Sequence, residues 1–253
     1  MSMQKALIIL LFLGGIISCK SNFIIHDIKT ENISNSENLT QIDSSLIKLV
    51  EPYKNKLAAE MEEVIGTSTV ELVKGRPESQ LTNYLGDLLL KEGRRYAENH
   101  LSKPIPVIAY LNYGGLRTAL PQGKITVGKI YELMPFENEM VLLKLKGNDV
   151  YTFAEKIADL GGDCVAGIKL GIHNRNISHF EINGKPFDRN AEYWIVTNDY
   201  VANGGDDMQM FANRLEYIST GIKLRDCMIS YMRREHLVNK QISPVLDGRI
   251  YME

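Results

Sequence analysis

Four short segments of this chain carry residue types that could do chemistry, each in a turn beside strand-like sequence. Gly75-Arg76-Pro77-Glu78 places an arginine just ahead of a helical stretch. Asn112-Tyr113-Gly114-Gly115-Leu116-Arg117 ends an apolar run in a Gly-Gly turn. Backbone amides and an arginine fork can meet there around an anion such as phosphate. Pro135-Phe136-Glu137-Asn138 sets an aromatic on a tight turn with an amide two residues on. Asn198 to Asp206 places Tyr200 and Asp206 on either side of Gly204-Gly205. Singly, each segment has a plain reading: a turn, a core aromatic, a surface ion pair. Together they offer two rings to stack a planar base, two arginines for phosphate, and Asn or Asp for ribose hydroxyls. Stacking of a base on an aromatic is worth about 1–3 kcal/mol.

Other chemistries find no support. The five histidines, His26, His100, His173, His179 and His236, are scattered and none has a metal-ligand partner at helical spacing. There is no Gly-x-Ser-x-Gly elbow and no phosphate-binding Walker loop. The 253 residues carry 29 Lys plus Arg against 31 Asp plus Glu, a net charge of −2. That balance argues against a nucleic-acid partner held by bulk positive charge. Three cysteines are too few for a disulfide scaffold and lack zinc-site spacing. Cys164 and Cys227 read either as a pair or as two buried free thiols.

The order and spacing of four stretches resemble one family. They are PESQLTNYLGDLL, NYGGLRTALPQGKITVGKIYELMPFEN, LKLKGNDV and YWIVTNDYVANGGDDM. Over about residues 45–251 the chain resembles the C-terminal, substrate-binding domain of the 5′-nucleotidases. That family includes UDP-sugar hydrolases and 2′,3′-cyclic-nucleotide phosphodiesterases. The resemblance implies roles by position. Arg76 and Arg117 match the phosphate-side arginines, and Asn112 opens the Asn-x-Gly-Gly-x-Arg motif. Phe136 matches one face of a base clamp and Tyr200 the other, where Phe is usual. Asn138 matches the polar residue after the first aromatic, and Asp206 the carboxylate that accepts from ribose hydroxyls. Gly161 or Gly162 stands where a backbone glycine would meet the base edge. Two departures are Glu137, where glycine is usual, and Thr82, in place of the glycine of a Leu-Gly-Asn motif. Glu137 adds a negative charge beside the implied pocket.

Family enzymes carry two divalent metals on a separate N-terminal domain, through Asp-x-His and Gly-Asn-His-Asp/Glu motifs. Neither motif occurs in this sequence. Two-metal hydrolysis needs such a cluster to activate water and stabilise the leaving oxygen. The resemblance therefore implies the nucleotide- or nucleoside-binding half of a 5′-nucleotidase-type phosphohydrolase. No cofactor is expected within it, and the two metals are expected on a partner metallophosphatase chain. The alternative is a freestanding nucleotide-binding surface lipoprotein without an enzyme partner.

The elements that must position these residues follow from periodicity. Leu46, Leu49, Val50, Tyr53, Leu57, Met61 and Ile65 recur at helical spacing after an N-cap at Asp43 or Ser44. Pro52 is expected to kink or delay this helix and Gly66 to end it. A strand is expected at Thr69–Val73 and a helix after Pro77. Further strands are expected at Ile105–Leu111, Glu139–Lys146, Val165–Ile172, His179–Ile182 and Tyr193–Thr197. Helices are expected at Val127–Leu133, Asp149–Asp159 and Ile222–Arg234, with a closing strand near Arg249–Met252. Strands and helices mix without a βαβ rhythm, so the fold class is α+β: one domain with a mixed sheet and flanking helices.

The N-terminus reads as an address. Lys5 precedes the apolar run Ala6–Ile17, too short to span a bilayer. A basic start, a short apolar segment and a small residue make a signal peptide, residues 1–18. Ser18-Cys19 at its end resembles a bacterial lipobox, so Cys19 is expected to be lipidated and to anchor the chain to a membrane. Loss of residues 1–18 removes Lys5 and no acid, leaving a net charge of −3. Residues 19–44 then read as a lipidated cysteine and polar tether, and 45–253 as the folded domain. The expected location is an exported bacterial lipoprotein on the periplasmic or outer surface.

Overall fold

The computed structural model describes Thr30, residues 44–101 and residues 106–253. The signal peptide, Cys19 and nearly all of the tether lie outside the described residues. The chain divides into two compact units, Met1–Leu49 and Val50–Glu253. In the first, Ser44–Leu49 is helical and exposed. The second carries the fold and the site.

Helix α1, Ser44–Glu62, runs through Pro52 and buries none of its residues. It stops before Gly66, which lies inside strand β1, Val64–Ser68. The strand expected at Thr69–Val73 is displaced to β1; of those residues only Leu72 makes an isolated bridge, to Leu120. The remaining early elements are α2 (Gln80–Leu101), β2 (Ile108–Leu111), β3 (Gly123–Thr126) and α3 (Val127–Leu133). Then follow β4 (Glu139–Lys146), α4 (Gly147–Asp159), β5 (Cys164–Ala166) and β6 (Ile168–His173). Gly167, at φ 79, separates β5 from β6, splitting the single strand expected there. The chain closes with β7 (Asn176–Ile182), β8 (Lys185–Pro186), β9 (Glu192–Asn198), α5 (Asp199–Ala202), β10 (Glu216–Lys223), α6 (Leu224–Leu237) and β11 (Ile250–Met252).

The central sheet has five strands in the order β10-β4-β9-β2-β5. Alternation along its strands makes two cores. Ala109, Leu111, Cys164, Ala166 and Val196 face one side, packed with Leu85, Leu88 and Leu89 of α2 and Met228 and Met232 of α6. Ile108, Tyr110, Val165, Ile195, Leu143 and Leu145 face the other, with Phe153, Ala154 and Ile157 of α4 and Leu170 and Ile172 of β6. That second layer includes the four-stranded sheet β11-β6-β7-β8. The architecture is mixed α and β, with several sheets and flanking helices.

Strand direction decides where the site forms. β2 and β9 are parallel, with Ile108 opposite Ile195, so both end at one edge. β4 runs antiparallel to β9, with Met140 opposite Asn198, so β4 begins at that same edge. β5 runs antiparallel to β2, with Leu111 opposite Cys164, and also begins there. The segments after β2, before β4, before β5 and after β9 therefore converge. These include three of the four segments singled out by residue type.

Candidate functional site

A cavity of about 340 Å³ opens at this edge, lined by Asn112, Gly114, Gly115, Arg117, Phe136, Asn138, Tyr200 and Asp206. The size suits a small organic ligand. Six of the seven residues expected to bind substrate line it. Arg76 lies instead in an adjoining cavity of about 290 Å³, with Tyr110, Tyr113, Lys156, Asp163 and Asp207. The two cavities share Gly114 and Asp206.

A hydrogen-bonded chain holds the polar wall. Asn198 caps α5: its Oδ1 accepts from Val201 N at 2.8 Å. Its Nδ2 donates to Asn112 Oδ1 at 3.1 Å. Asn112 Nδ2 in turn donates to Asp206 Oδ2 at 2.7 Å. Asn198 and Asn112 are buried, so their amides are fixed from behind. Two glycines permit this packing. A Cβ on Gly115 would come within 2.9 Å of Asn112 Oδ1, and one on Gly205 within 2.5 Å of the Tyr200 ring. The Tyr200 ring thus lies against the Gly205 backbone, and Asp206 is held in the left-handed region at φ 53.

Both rings are accessible: Phe136 is 40% exposed and Tyr200 48%. The Tyr200 hydroxyl donates to Asp206 Oδ1 at 2.9 Å, which raises the phenol above its ordinary pKa. Arg117 donates from Nη1 to Gly114 O at 3.3 Å. Arg76 lies 4.6 Å over the Tyr113 ring, beside Lys74 at 4.3 Å. Among the described residues, neither Arg76 nor Arg117 forms an ion pair with a carboxylate. Arg117 is available to an anion, whereas Arg76 shares its cavity with Asp163, Asp206 and Asp207 and its charge acts on the Asp163 carboxyl.

Glu137 does not line the cavity. Its carboxylate is ion-paired with Arg225 of α6, which holds it below the usual carboxylate range. Arg225 also donates to Met134 O and Phe136 O, each at 3.4 Å, and its guanidinium lies 4.0 Å over the Tyr131 ring. Lys223 Nζ donates to Glu137 O at 2.8 Å, and Leu224 N to Asn138 O at 2.8 Å. The start of α6 therefore fixes the turn that presents Phe136. Sequence reading missed Arg225, since an arginine on a charged helix gives no signal of its own.

Gly161 and Gly162 are not part of the cavity lining. They terminate α4, with Gly161 N donating to Ala158 O and Gly162 N to Ile157 O. Both have positive φ, the ordinary arrangement at a helix C-terminus. Thr82 is buried, and its hydroxyl interacts with Ser79 at the start of α2. Among the described residues, no group of three or more His, Cys, Asp or Glu could hold a metal ion.

Residues 64–213 match the family 5′-nucleotidase, C-terminal domain, and the chain belongs to that family. Protein UshA of Yersinia enterocolitica is 26% identical over 212 residues, 81% of this chain and 37% of that protein. An apyrase of Aedes aegypti is 28% identical over 186 residues, 66% of this chain and 32% of that protein. The crystal structure of a 5′-nucleotidase precursor from Thermus thermophilus superimposes with a TM-score of 0.68 at 27% identity. That match covers 81% of this chain and 42% of the other. The chain thus spans about a third of the length of these two curated relatives.

Proposed function

We propose that this domain binds a nucleotide or nucleoside, as the substrate-holding half of a 5′-nucleotidase-type phosphohydrolase. The observation that carries the reading is the convergence of Phe136, Tyr200, Asn112, Asp206 and Arg117 on one cavity at the sheet edge. The base stacks between Phe136 and Tyr200, Asp206 accepts from the sugar, and Arg117 meets the phosphate, with Arg76 in the adjoining cavity. Family membership supports the reading, as do the names of the relatives it matches, an apyrase and a 5′-nucleotidase. Two divalent metals and the hydrolytic groups belong to a partner metallophosphatase domain, which those relatives' greater lengths can accommodate. In this reading the chain's own residues bind and orient the nucleotide and move no proton. Export, with membrane attachment through a lipidated Cys19, rests on the lipobox-like ending. Among the described residues, no helix is long and apolar enough to cross a membrane. Release into the soluble fraction by Cys19→Ala, or arrest of the uncleaved precursor, tests that anchor.

The binding reading is tested by calorimetric titration with AMP and adenosine. Saturable binding of both, lost in the Phe136→Ala/Tyr200→Ala double variant, is expected. No binding of either, or binding untouched by the double variant, overturns it.

A further inference from the structure

Tyr200 differs from phenylalanine by one hydroxyl, and that hydroxyl is bonded to Asp206, the one carboxylate lining the cavity among the described residues. A carboxylate has about four acceptor positions over its two oxygens. Here Oδ1 accepts from Tyr200 at 2.9 Å and Oδ2 from Asn112 at 2.7 Å. Asn112 is buried and tied to Asn198, so its bond is fixed. Tyr200 is about half exposed and can give its bond up to water. A vicinal diol binds a carboxylate best by donating to both oxygens at once. At Asp206 the diol meets the phenol already in one of those positions. It must share Oδ1 or displace the phenol, and either choice subtracts from the gain of binding.

Building on the nucleoside reading above, we infer that Tyr200 is a specificity-determining residue: its hydroxyl competes with the sugar for Asp206 and narrows the preference for ribose over 2′-deoxyribose. The ring stacks on the base whichever sugar is attached, so only the hydroxyl bears on the sugar. Loss of the phenol bond also loosens the ring. That effect falls equally on both sugars and cancels in their ratio.

The test is calorimetric titration of the whole chain with adenosine and 2′-deoxyadenosine, in the native sequence, Tyr200→Phe and Asp206→Asn. Tyr200→Phe is expected to raise the adenosine-to-deoxyadenosine affinity ratio about tenfold, the scale of one hydrogen bond to a charged acceptor. Asp206→Asn is expected to bring the ratio close to one. A ratio unchanged or lowered in Tyr200→Phe, with both nucleosides binding, overturns the inference and leaves the nucleoside reading standing. If neither nucleoside binds any of the three proteins, the nucleoside reading fails and takes this inference with it.

Discussion

The buried guanidinium of Arg225 binds the carboxylate of Glu137, 88 positions earlier in the chain, and so joins α6 to the turn carrying Phe136. This pairing answers the charge that Glu137 brings to the edge of the cavity. A glycine there would leave Arg225 with its carbonyl partners and the Tyr131 ring. With glutamate, the carboxylate is drawn onto a cation beneath the turn. The same contact that neutralises Glu137 also fixes the backbone on either side of Phe136.

Arg225→Met is therefore expected to destabilise the fold by about 2 kcal/mol, through lost hydrogen bonds from a buried charge to two carbonyls. It is also expected to weaken adenosine binding, because the Phe136 turn loses its support. Glu137→Gln, at an exposed carboxylate, is expected to change stability much less. Urea unfolding of both variants checks the order; equal effects would show that the Arg225 anchor depends wholly on the ion pair.

Phe136→Ala is expected to weaken adenosine binding by about 1–3 kcal/mol if the ring stacks on the base. Binding of inorganic phosphate is expected to stay unchanged, since the ring carries no donor. Parallel titrations of the two probes separate lost stacking from a general collapse of the site.

Much of this arrangement was legible in the sequence, for a physical reason. The segments after β2, before β4 and after β9 have residue types with few local uses: paired glycines, exposed aromatics and asparagines. The sharp elements were legible too. Helix Val127–Leu133 and strand Glu139–Lys146, the latter from its β-branched and leucine content, have the bounds expected from the sequence. Strand β10 is not legible in the sequence, because its inward face is only half-buried Ile218, Thr220 and Ile222, and Tyr217 and Gly221 blur the alternation. Strand β1 was misplaced because Gly66 reads as a helix stop. In the fold Gly66 is a strand residue where a Cβ would press within 3.2 Å of Ile242. Motif order alone groups Arg76 with Arg117. The separation of Arg76 into the adjoining cavity depends on how the loop before α2 packs against Tyr113, which local sequence does not encode.

Arg117→Ala is expected to weaken AMP binding about tenfold while leaving adenosine nearly unaffected, because a charge-assisted contact to phosphate is lost and the base and sugar contacts remain. If a metallophosphatase partner reconstitutes turnover, the same variant should raise KM with little change in kcat. An equal loss of adenosine and AMP affinity would place Arg117 at the base or sugar instead.

Cys164 and Cys227 are both buried and unpaired, which decides between the two readings of these thiols. Burial pushes the Cys227 thiol up to about 12 and the Cys164 thiol higher still. Both are expected to resist iodoacetamide in the native protein and to react fully in denaturant, at rates that track opening of the fold. Peptide mapping after timed labelling reads each site; rapid native labelling of either would contradict its burial.

Asp163 makes stability depend on pH in an unusual direction. Its carboxyl sits at the start of β5, 3% exposed, accepting from Cys164 N at 2.7 Å and from the Tyr110 hydroxyl at 3.3 Å. Burial raises its pKa to about 6, against the pull of these hydrogen bonds and the nearby charge of Arg76. In the unfolded chain it titrates near 3.8, the ordinary value. Between those values the folded state holds a proton that the unfolded state has released. Stability from this group is therefore greatest below about pH 4 and falls as pH rises to about 6, by on the order of 3 kcal/mol at most. Above pH 6 both states are ionised and the full burial penalty applies. Asp163→Asn removes the titration and keeps a side-chain oxygen to accept from Cys164 N. The difference in unfolding free energy, variant minus native, is expected to grow in favour of the variant from pH 4 to pH 7. Urea unfolding at each pH measures it, and taking the difference cancels the titration of the other carboxylates. A flat difference across that range would mean that Asp163 titrates at its ordinary value in the folded protein.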